Sequence, residues 1–182
     1  MQITPIQFRD KLGRTIVLRS GGPEDAEDLI CCLKTVFSES PYLLRGPEEV
    51  TTTPEQEAAF LKQTLEDPQS LMLLALLDGK LVGSGSFHPV GSCRRLAHRC
   101  EVGAALYQAH CGCGIGTIML QTLLHAAKEQ GFEQAELEVA SGNTAAIALY
   151  EKLGFRKYGT LPDYLKYSSG QYASMDWMMK KL

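Results

Sequence analysis

The chain lacks a long apolar run. Its longest, Leu71–Leu77, falls far short of the ~20 residues that cross a bilayer. The opening Met1-Gln-Ile-Thr-Pro carries no positive region followed by an apolar stretch, so neither a membrane span nor a secretory signal is expected. Charge of one sign is also missing. Eighteen Lys and Arg stand against 21 Asp and Glu, a formal net charge of −3, with no tail or run of either sign. That excludes a general nucleic-acid or anionic-membrane binder. Cysteine is sparse for a disulfide scaffold: six residues (Cys31, Cys32, Cys93, Cys100, Cys111 and Cys113) in a chain of 182. His110 beside Cys111-x-Cys113 invites a metal reading, but no second pair at finger-like spacing follows. No metal, reduced thiols and a cytoplasmic location are therefore expected. Internal repeats and low-complexity segments are absent.

What is present suits one domain over residues 1–182, with 45% hydrophobic residues to build a core. Residues 1–14 read as a loosely attached segment. Thr15-Ile-Val-Leu-Arg is a short strand. Pro23 and the acids after it open a helix whose stripe is Ala26, Leu29, Ile30, Leu33 and Val36. Cys31 and Cys32 fall in that helix as small buried hydrophobes. A weaker helix spans about Pro54–Leu65. Ser70–Leu77 and Lys80–Phe87 form a hairpin across Asp78-Gly79. His98–Tyr107 is a long strand. Ile115, Ile118, Met119, Leu123 and Ala126 make a helical stripe ending near Gly131. Gln134–Val139 alternates as a strand with one solvated face. Asn143 caps a helix carrying Ala146, Leu149, Tyr150 and Leu153, which Gly154 ends. Phe155–Tyr158 restarts a strand, and Leu165–Tyr167 with Tyr172–Met179 closes a hairpin. The order predicts an α/β fold: a mixed, twisted sheet of about seven strands with helices on both faces.

The segment His110-Cys-Gly-Cys-Gly-Ile-Gly-Thr117 joins a strand to a helix. Glycine permits φ > 0 and close approach of a ligand, and a helix N-terminus offers unpaired N–H groups at the positive end of the dipole. Together they form a cradle suited to a pyrophosphate. The spacing matches neither the dinucleotide fingerprint nor a Walker loop.

Gly112-Cys-Gly-Ile-Gly116 resembles the acetyl-CoA pyrophosphate loop of the GNAT superfamily of acyltransferases, Gln/Arg-x-x-Gly-x-Gly/Ala. Asn143-Thr-Ala-Ala-Ile-Ala-Leu-Tyr-Glu-Lys-Leu-Gly-Phe155 is similar to the family's Asn-x-x-Ala-x-x-Leu-Tyr-Glu-Lys-x-Gly-Phe signature. The order of elements fits from Thr15 to the C-terminus. The resemblance implies a single GNAT-like domain and acetyl-CoA as cosubstrate. It also implies a splay between His98–Tyr107 and Gln134–Ala140, with backbone contacts from Leu106, Tyr107 and Gln108 to the cofactor. The N–H of Leu106 would polarise the thioester carbonyl. Cys111, Gly112, Cys113, Gly114, Ile115, Gly116 and Thr117 would hold the pyrophosphate, with Asn143 and Tyr150 also at the cofactor. One departure stands out: Cys111 and Cys113 sit where the family usually has basic or amide side chains. A charge-assisted hydrogen bond of ~1.5–3 kcal/mol is missing there. Arg94, Arg95 or Lys152 would have to compensate, unless these are ordinary surface charges.

The chemistry implied is direct attack of an amine. An amine of lysine type is mostly protonated at pH 7, so a base is needed. Glu101, in His98-Arg-Cys-Glu-Val-Gly103, is the candidate base, or else a sheet carboxylate paired with Arg99 or Arg95. Tyr150 is the candidate acid toward the departing thiolate, though it also fits the buried stripe of its helix. His88, His98, His110 and His125 are weaker base candidates. Glu136 and Glu138 fall on a solvated face and read as inert. Phe37, Tyr42, Asp163 and Tyr164 are of suitable type for an acceptor site. The acceptor is open between a small-molecule amine and a protein N-terminus or lysine. Ala104 and Ala105 leave room for a longer acyl group. A rival reading is a non-catalytic acyl-CoA-binding or sensor module whose loop has degenerated at Cys111 and Cys113. Trp177 and Met178 in the closing hairpin could serve a homodimer contact or the core.

Overall fold

In the computed structural model, which describes Met1–Leu182, the period-two segments assemble into one eight-stranded mixed sheet. The strands are β1 (Ile6–Arg9), β2 (Thr15–Ser20), β3 (Leu71–Leu77), β4 (Lys80–Pro89), β5 (Arg99–Leu106), β6 (Gln134–Ala140), β7 (Arg156–Lys166) and β8 (Tyr172–Lys181). Their spatial order is β1-β2-β3-β4-β5-β6-β8-β7, and only β5 and β6 run parallel. Helices α1 (Ala26–Glu39) and α2 (Pro54–Glu66) cover one face; α3 (Ile115–Glu129) and α4 (Thr144–Lys152) cover the other. β3 shows why its sequence is continuously apolar. Leu71, Leu73 and Ala75 pack with Met119 and Leu123 of α3, while Leu74 packs with Leu29 of α1 and Leu61 of α2. A strand buried on both faces has no polar alternation to show.

Three expectations change. The sheet has eight strands rather than about seven, because residues 1–14 are not loosely attached. Ile6–Arg9 pairs along β2 from Ile6↔Leu18 to Arg9↔Thr15, and the Ile3 N–H donates to Ser20 Oγ at 2.9 Å. The connecting turn is closed by Asp10, whose Oδ1 accepts the N–H groups of Leu12 and Arg14, both at 2.9 Å. This edge strand is short and mostly exposed, so it carries almost no apolar pattern. Second, Phe155–Tyr158 and Leu165–Tyr167 belong to one long strand, β7, interrupted by register shifts at Lys157/Gly159 and Leu161/Leu165. Third, Cys31 is exposed, one step off the stripe that buries Ile30 and Cys32. All six cysteines are unpaired. Met178 is core, whereas Trp177 is half-buried with its indole N–H donated to Glu138. No helix is long and apolar enough to cross a membrane.

The parallel pair is brief. β5 and β6 are in register only at Arg99↔Gln134, Cys100↔Ala135 and Glu101↔Glu136. Beyond this point β6 continues against β8 and β5 continues against β4, and the two strands part. The ladder from β4 is bracketed by Val90 N–H to Arg99 O and Tyr107 N–H to Val82 O, both 3.0 Å. Odd-numbered residues of β5 therefore face β4. Val102, Ala104 and Leu106 turn their N–H and C=O groups into the gap.

The gap's wall needs β4 and β5 to lie close at Gly83, paired with Leu106. A Cβ there would stand 2.6 Å from Ala105 O and closer still to Leu106 Cδ2. Gly83→Ala is expected to destabilise the fold by about 1–3 kcal/mol, because one of the clashing atoms is backbone. Urea unfolding checks this; an unchanged midpoint would contradict the packing described.

Candidate active site

The loop between β5 and α3 presents a run of unpaired backbone donors. Gly112 has φ +74° and Gly114, the N-cap of α3, has φ +93°; Cys111 before them is extended, and Ile115 after them begins the helix. Two left-handed glycines just ahead of a helix start leave its N–H groups exposed together, a concave nest of donors. The N–H groups from Gly112 to Thr117 have no acceptor within the chain; the first intrahelical bond is Ile118 N–H to Gly114 O at 3.3 Å. Neither Gly112 nor Gly116 would clash if it carried a Cβ. Backbone conformation, not crowding, is what demands glycine at positions 112 and 114.

This nest ends a cavity of about 660 Å³. Of the residues expected at the cofactor, Leu106, Gln108, Cys111, Gly112, Gly114, Gly116, Thr117, Asn143 and Tyr150 line it. Tyr107, Cys113 and Ile115 do not. Ile115 is fully buried in the core, the Tyr107 N–H is taken by Val82 O, and Cys113 turns its thiol onto Cys111 O at 3.5 Å. The Gln108 N–H is also taken, by Glu39 Oε2 at 2.7 Å. Of the three backbone amides expected to face a ligand, Leu106 alone points into the gap. Asn143 Oδ1 accepts the Ala146 N–H at 3.2 Å, so it caps α4 while lining the cavity. Arg94 and Arg95 lie in an exposed turn away from the cavity, whereas Lys152 and, unexpectedly, Lys11 line it.

Tyr150 projects from the buried side of α4, its ring edge-to-face with Phe155 at 5.8 Å. Its hydroxyl makes no hydrogen bond within the chain. Burial raises its pKa above the usual tyrosine value. The phenol is a donor with no acceptor in the chain.

A second cavity of about 250 Å³ adjoins the first, sharing Tyr42 and Leu43 as lining. β5 runs through both: Glu101–Gly103 in the smaller, Ala104–Leu106 in the larger. Two carboxylates, Glu101 and Glu138, face the smaller one, with His88 and Ser86. Glu101 is cross-strand from His88, whose Nε2 lies 3.7 Å from Glu101 Oε2, and both side chains are about half-exposed. Arg99 does not pair with Glu101. It grips Glu136 bidentately, Nη2 to Oε2 at 2.6 Å and Nε to Oε1, with Gln134 Nε2 adding a third bond at 2.6 Å. The Arg99 guanidinium holds the Glu136 carboxyl below its usual range, against the opposing effect of burial. Glu138, expected to be inert, accepts Trp177 Nε1–H at 3.0 Å and Tyr164 O–H at 3.4 Å. Those bonds aim it at the cavity from the solvated face. Phe37 and Asp163 line neither cavity. Of the histidines, only His88 reaches one.

Residues 36–155 match the model of the acetyltransferase (GNAT) family. An N-alpha-acetyltransferase of Sulfurisphaera tokodaii is 31% identical over 122 residues, covering 63% of this chain and 72% of that protein. Human N-acetyltransferase 8 is 30% identical over 168 residues, covering 85% of this chain and 74% of that protein. A solved GNAT-family acetyltransferase from Streptococcus pneumoniae shares the fold with a TM-score of 0.88, at 24% identity over 92% of this chain and 99% of that one.

The Arg99–Glu136 pair gives the sheet face beside the site a pH signature. The Glu136 pKa is depressed on folding, so the pair's stabilisation is complete above the unfolded glutamate value of about 4.3 and is lost as pH falls through the folded one. Arg99→Gln should lower the urea midpoint at pH 7, and the difference from wild type should close as pH falls below about 4. A difference independent of pH would contradict this electrostatic account.

Proposed function

The chain belongs to the GNAT acetyltransferase family and is an acetyl-CoA-dependent N-acetyltransferase; from that premise we propose direct transfer onto a cationic amine, with Glu101 as base and Tyr150 as acid. One observation carries the reading. A cavity ending in unpaired amide N–H groups meets, at Tyr42 and Leu43, a smaller cavity lined by two carboxylates.

The nest from Gly112 to Thr117 suits a pyrophosphate, and the apolar wall of Ala104, Ala105 and Leu149 suits the pantetheine arm. Acetyl-CoA supplies an acetyl group activated as a thioester. The Leu106 N–H, free on the gap side, is the donor available to a developing oxyanion. The Tyr150 hydroxyl gives its proton to the leaving sulfur, and burial keeps that proton in place until then.

The smaller cavity selects the acceptor by charge. Glu101 and Glu138 offer two carboxylates to an ammonium, and no Lys or Arg lines the space. About 250 Å³ is enough room for an amine-bearing side chain or the end of a peptide. A chain-terminal amine, with a pKa of ~7.7–8.0, reaches its neutral form at much lower cost than a lysine at ~10.4. Glu101 takes the proton that the ammonium must lose before its nitrogen can attack, with His88 at 3.7 Å as the adjacent relay; as the N–C bond forms and the C–S bond breaks, nitrogen's second proton replaces the one that Tyr150 gives to sulfur. The hydrogen bonds from Trp177 and Tyr164 hold the Glu138 carboxylate in place, so its part is to position the ammonium.

Two measurements test the reading. Tyr150→Phe should lower kcat by roughly 100-fold with the Kd for acetyl-CoA unchanged; equal loss of both would overturn the acid role. In a panel of amines followed by thiol release, Glu138→Gln should raise KM several-fold for cationic acceptors and leave kcat nearly unchanged. Binding of acetyl-CoA without release toward any amine or peptide N-terminus would favour the non-catalytic module.

A further inference from the structure

The loop lacks the side chain that would neutralise a pyrophosphate: Cys111 and Cys113 bring thiols, not cations, to the nest. Burial raises the Cys111 thiol above its usual range, so it stays neutral and brings no charge of either sign to the nest. A compensating charge comes from the far end of the chain. The turn between β1 and β2 lies against the loop, with the Lys11 N–H donating to Cys113 O at 3.0 Å. The Lys11 stem runs beside Gly114: an added Cβ there would meet Lys11 Cγ at 3.7 Å and Cε at 3.8 Å. Lys11 lines the larger cavity with Gly112, Gly114 and Gly116. Its ammonium forms no ion pair within the chain, while the neighbouring cation Arg14 is already bound to Asp10 at 2.7 Å.

The turn is stiff before any ligand arrives. Asp10 is buried and accepts Leu12 N–H, Arg14 N–H and Arg14 Nε–H, at 2.9, 2.9 and 2.8 Å. Gly13 takes φ +78° to complete it. The sheet pairing of β1, the Asp10 cap and the tie to Cys113 thus fix the Lys11 backbone over the N-terminus of α3. The remaining carboxylate in the cavity, Glu39, is committed to the Gln108 N–H. Lys152 reaches the same cavity from the C-terminal end of α4, with no main-chain tie to the loop.

We propose that Lys11 is a cofactor-binding residue that supplies the positive charge to the pyrophosphate in place of the missing side chain at Cys111. The assignment rests on the acetyl-CoA reading of the larger cavity and adds the N-terminal hairpin to the binding machinery. It also gives the hairpin a task beyond closing the sheet: the hairpin carries a cation to a loop that has none of its own.

The test is calorimetric titration of wild type, Lys11→Met and Lys11→Arg with acetyl-CoA and with acetyl-dephospho-CoA, which keeps the pyrophosphate but lacks the 3′-phosphate. Methionine keeps the stem, so the turn should hold; an unchanged melting temperature of the free protein checks it. Lys11→Met should raise Kd about tenfold for both ligands, consistent with loss of a charge-assisted contact. Lys11→Arg should restore most of the affinity, and the dependence of Kd on salt should weaken in Lys11→Met. An unchanged Kd in Lys11→Met would overturn the proposal while leaving the acetyl-CoA reading intact. A loss confined to acetyl-CoA would overturn it too, moving the contact to the 3′-phosphate. Absence of binding in wild type would overturn the acetyl-CoA reading itself.

Discussion

The site exists because β5 and β6 stop pairing. Parallel strands normally hydrogen-bond along their length, and an unpaired strand edge in a sheet interior leaves backbone donors and acceptors unsatisfied. Here pairing ends after Glu101↔Glu136, and the gap-facing amides of β5 run on to Leu106 beside an open cavity. The next stretch of chain uses the opening. A turn, Gln108–His110, ends β5; the left-handed glycines redirect the backbone; and α3 starts with its N–H groups facing the same space. Peptide dipoles from a strand edge and from a helix terminus thus converge on one cavity, and neither depends on the identity of a side chain.

The second organising feature is which charges are already used. Four of the acidic side chains in this part of the molecule are partnered in four ways. Glu136 is locked by Arg99 and Gln134, Glu39 is fastened to the Gln108 N–H, Glu138 is oriented by Trp177 and Tyr164, and Glu101 has only His88 nearby. A carboxylate gripped bidentately by a guanidinium, as Glu136 is, is a poor proton acceptor, and Glu101 has no such partner. The parallel register decides this assignment, because it sets Arg99 opposite Gln134 and brings its side chain to Glu136 rather than to Glu101.

The contrast explains what could be read from the chain. Local features were legible: left-handed glycines at 112 and 114, Asn143 capping α4, and Tyr150 on a buried helical stripe all follow from residues a few positions apart. The two motifs that carry the family resemblance are of this local kind. The long apolar run of β3 and the hairpin across Asp78-Gly79 were legible for the same reason. Register and docking were not. Nothing near Lys11 announces that its turn meets Cys113, and nothing in Gln134–Val139 says which of its glutamates is buried. β1 escaped notice because a short exposed edge strand has no apolar face to display. Glu138 read as inert because alternation identified its solvated face, while the residues that aim it come from β7 and β8.

Hydrogen–deuterium exchange, resolved to single amides, tests the central claim most directly. With acetyl-CoA present, the account predicts slowed exchange at the amides from Gly112 to Thr117 and at Leu106, with no comparable change at Tyr107, whose N–H is already bonded. Acetyl-CoA binding that left the Gly112–Thr117 amides exchanging at their free rates would contradict the claim that this backbone is the anion's cradle.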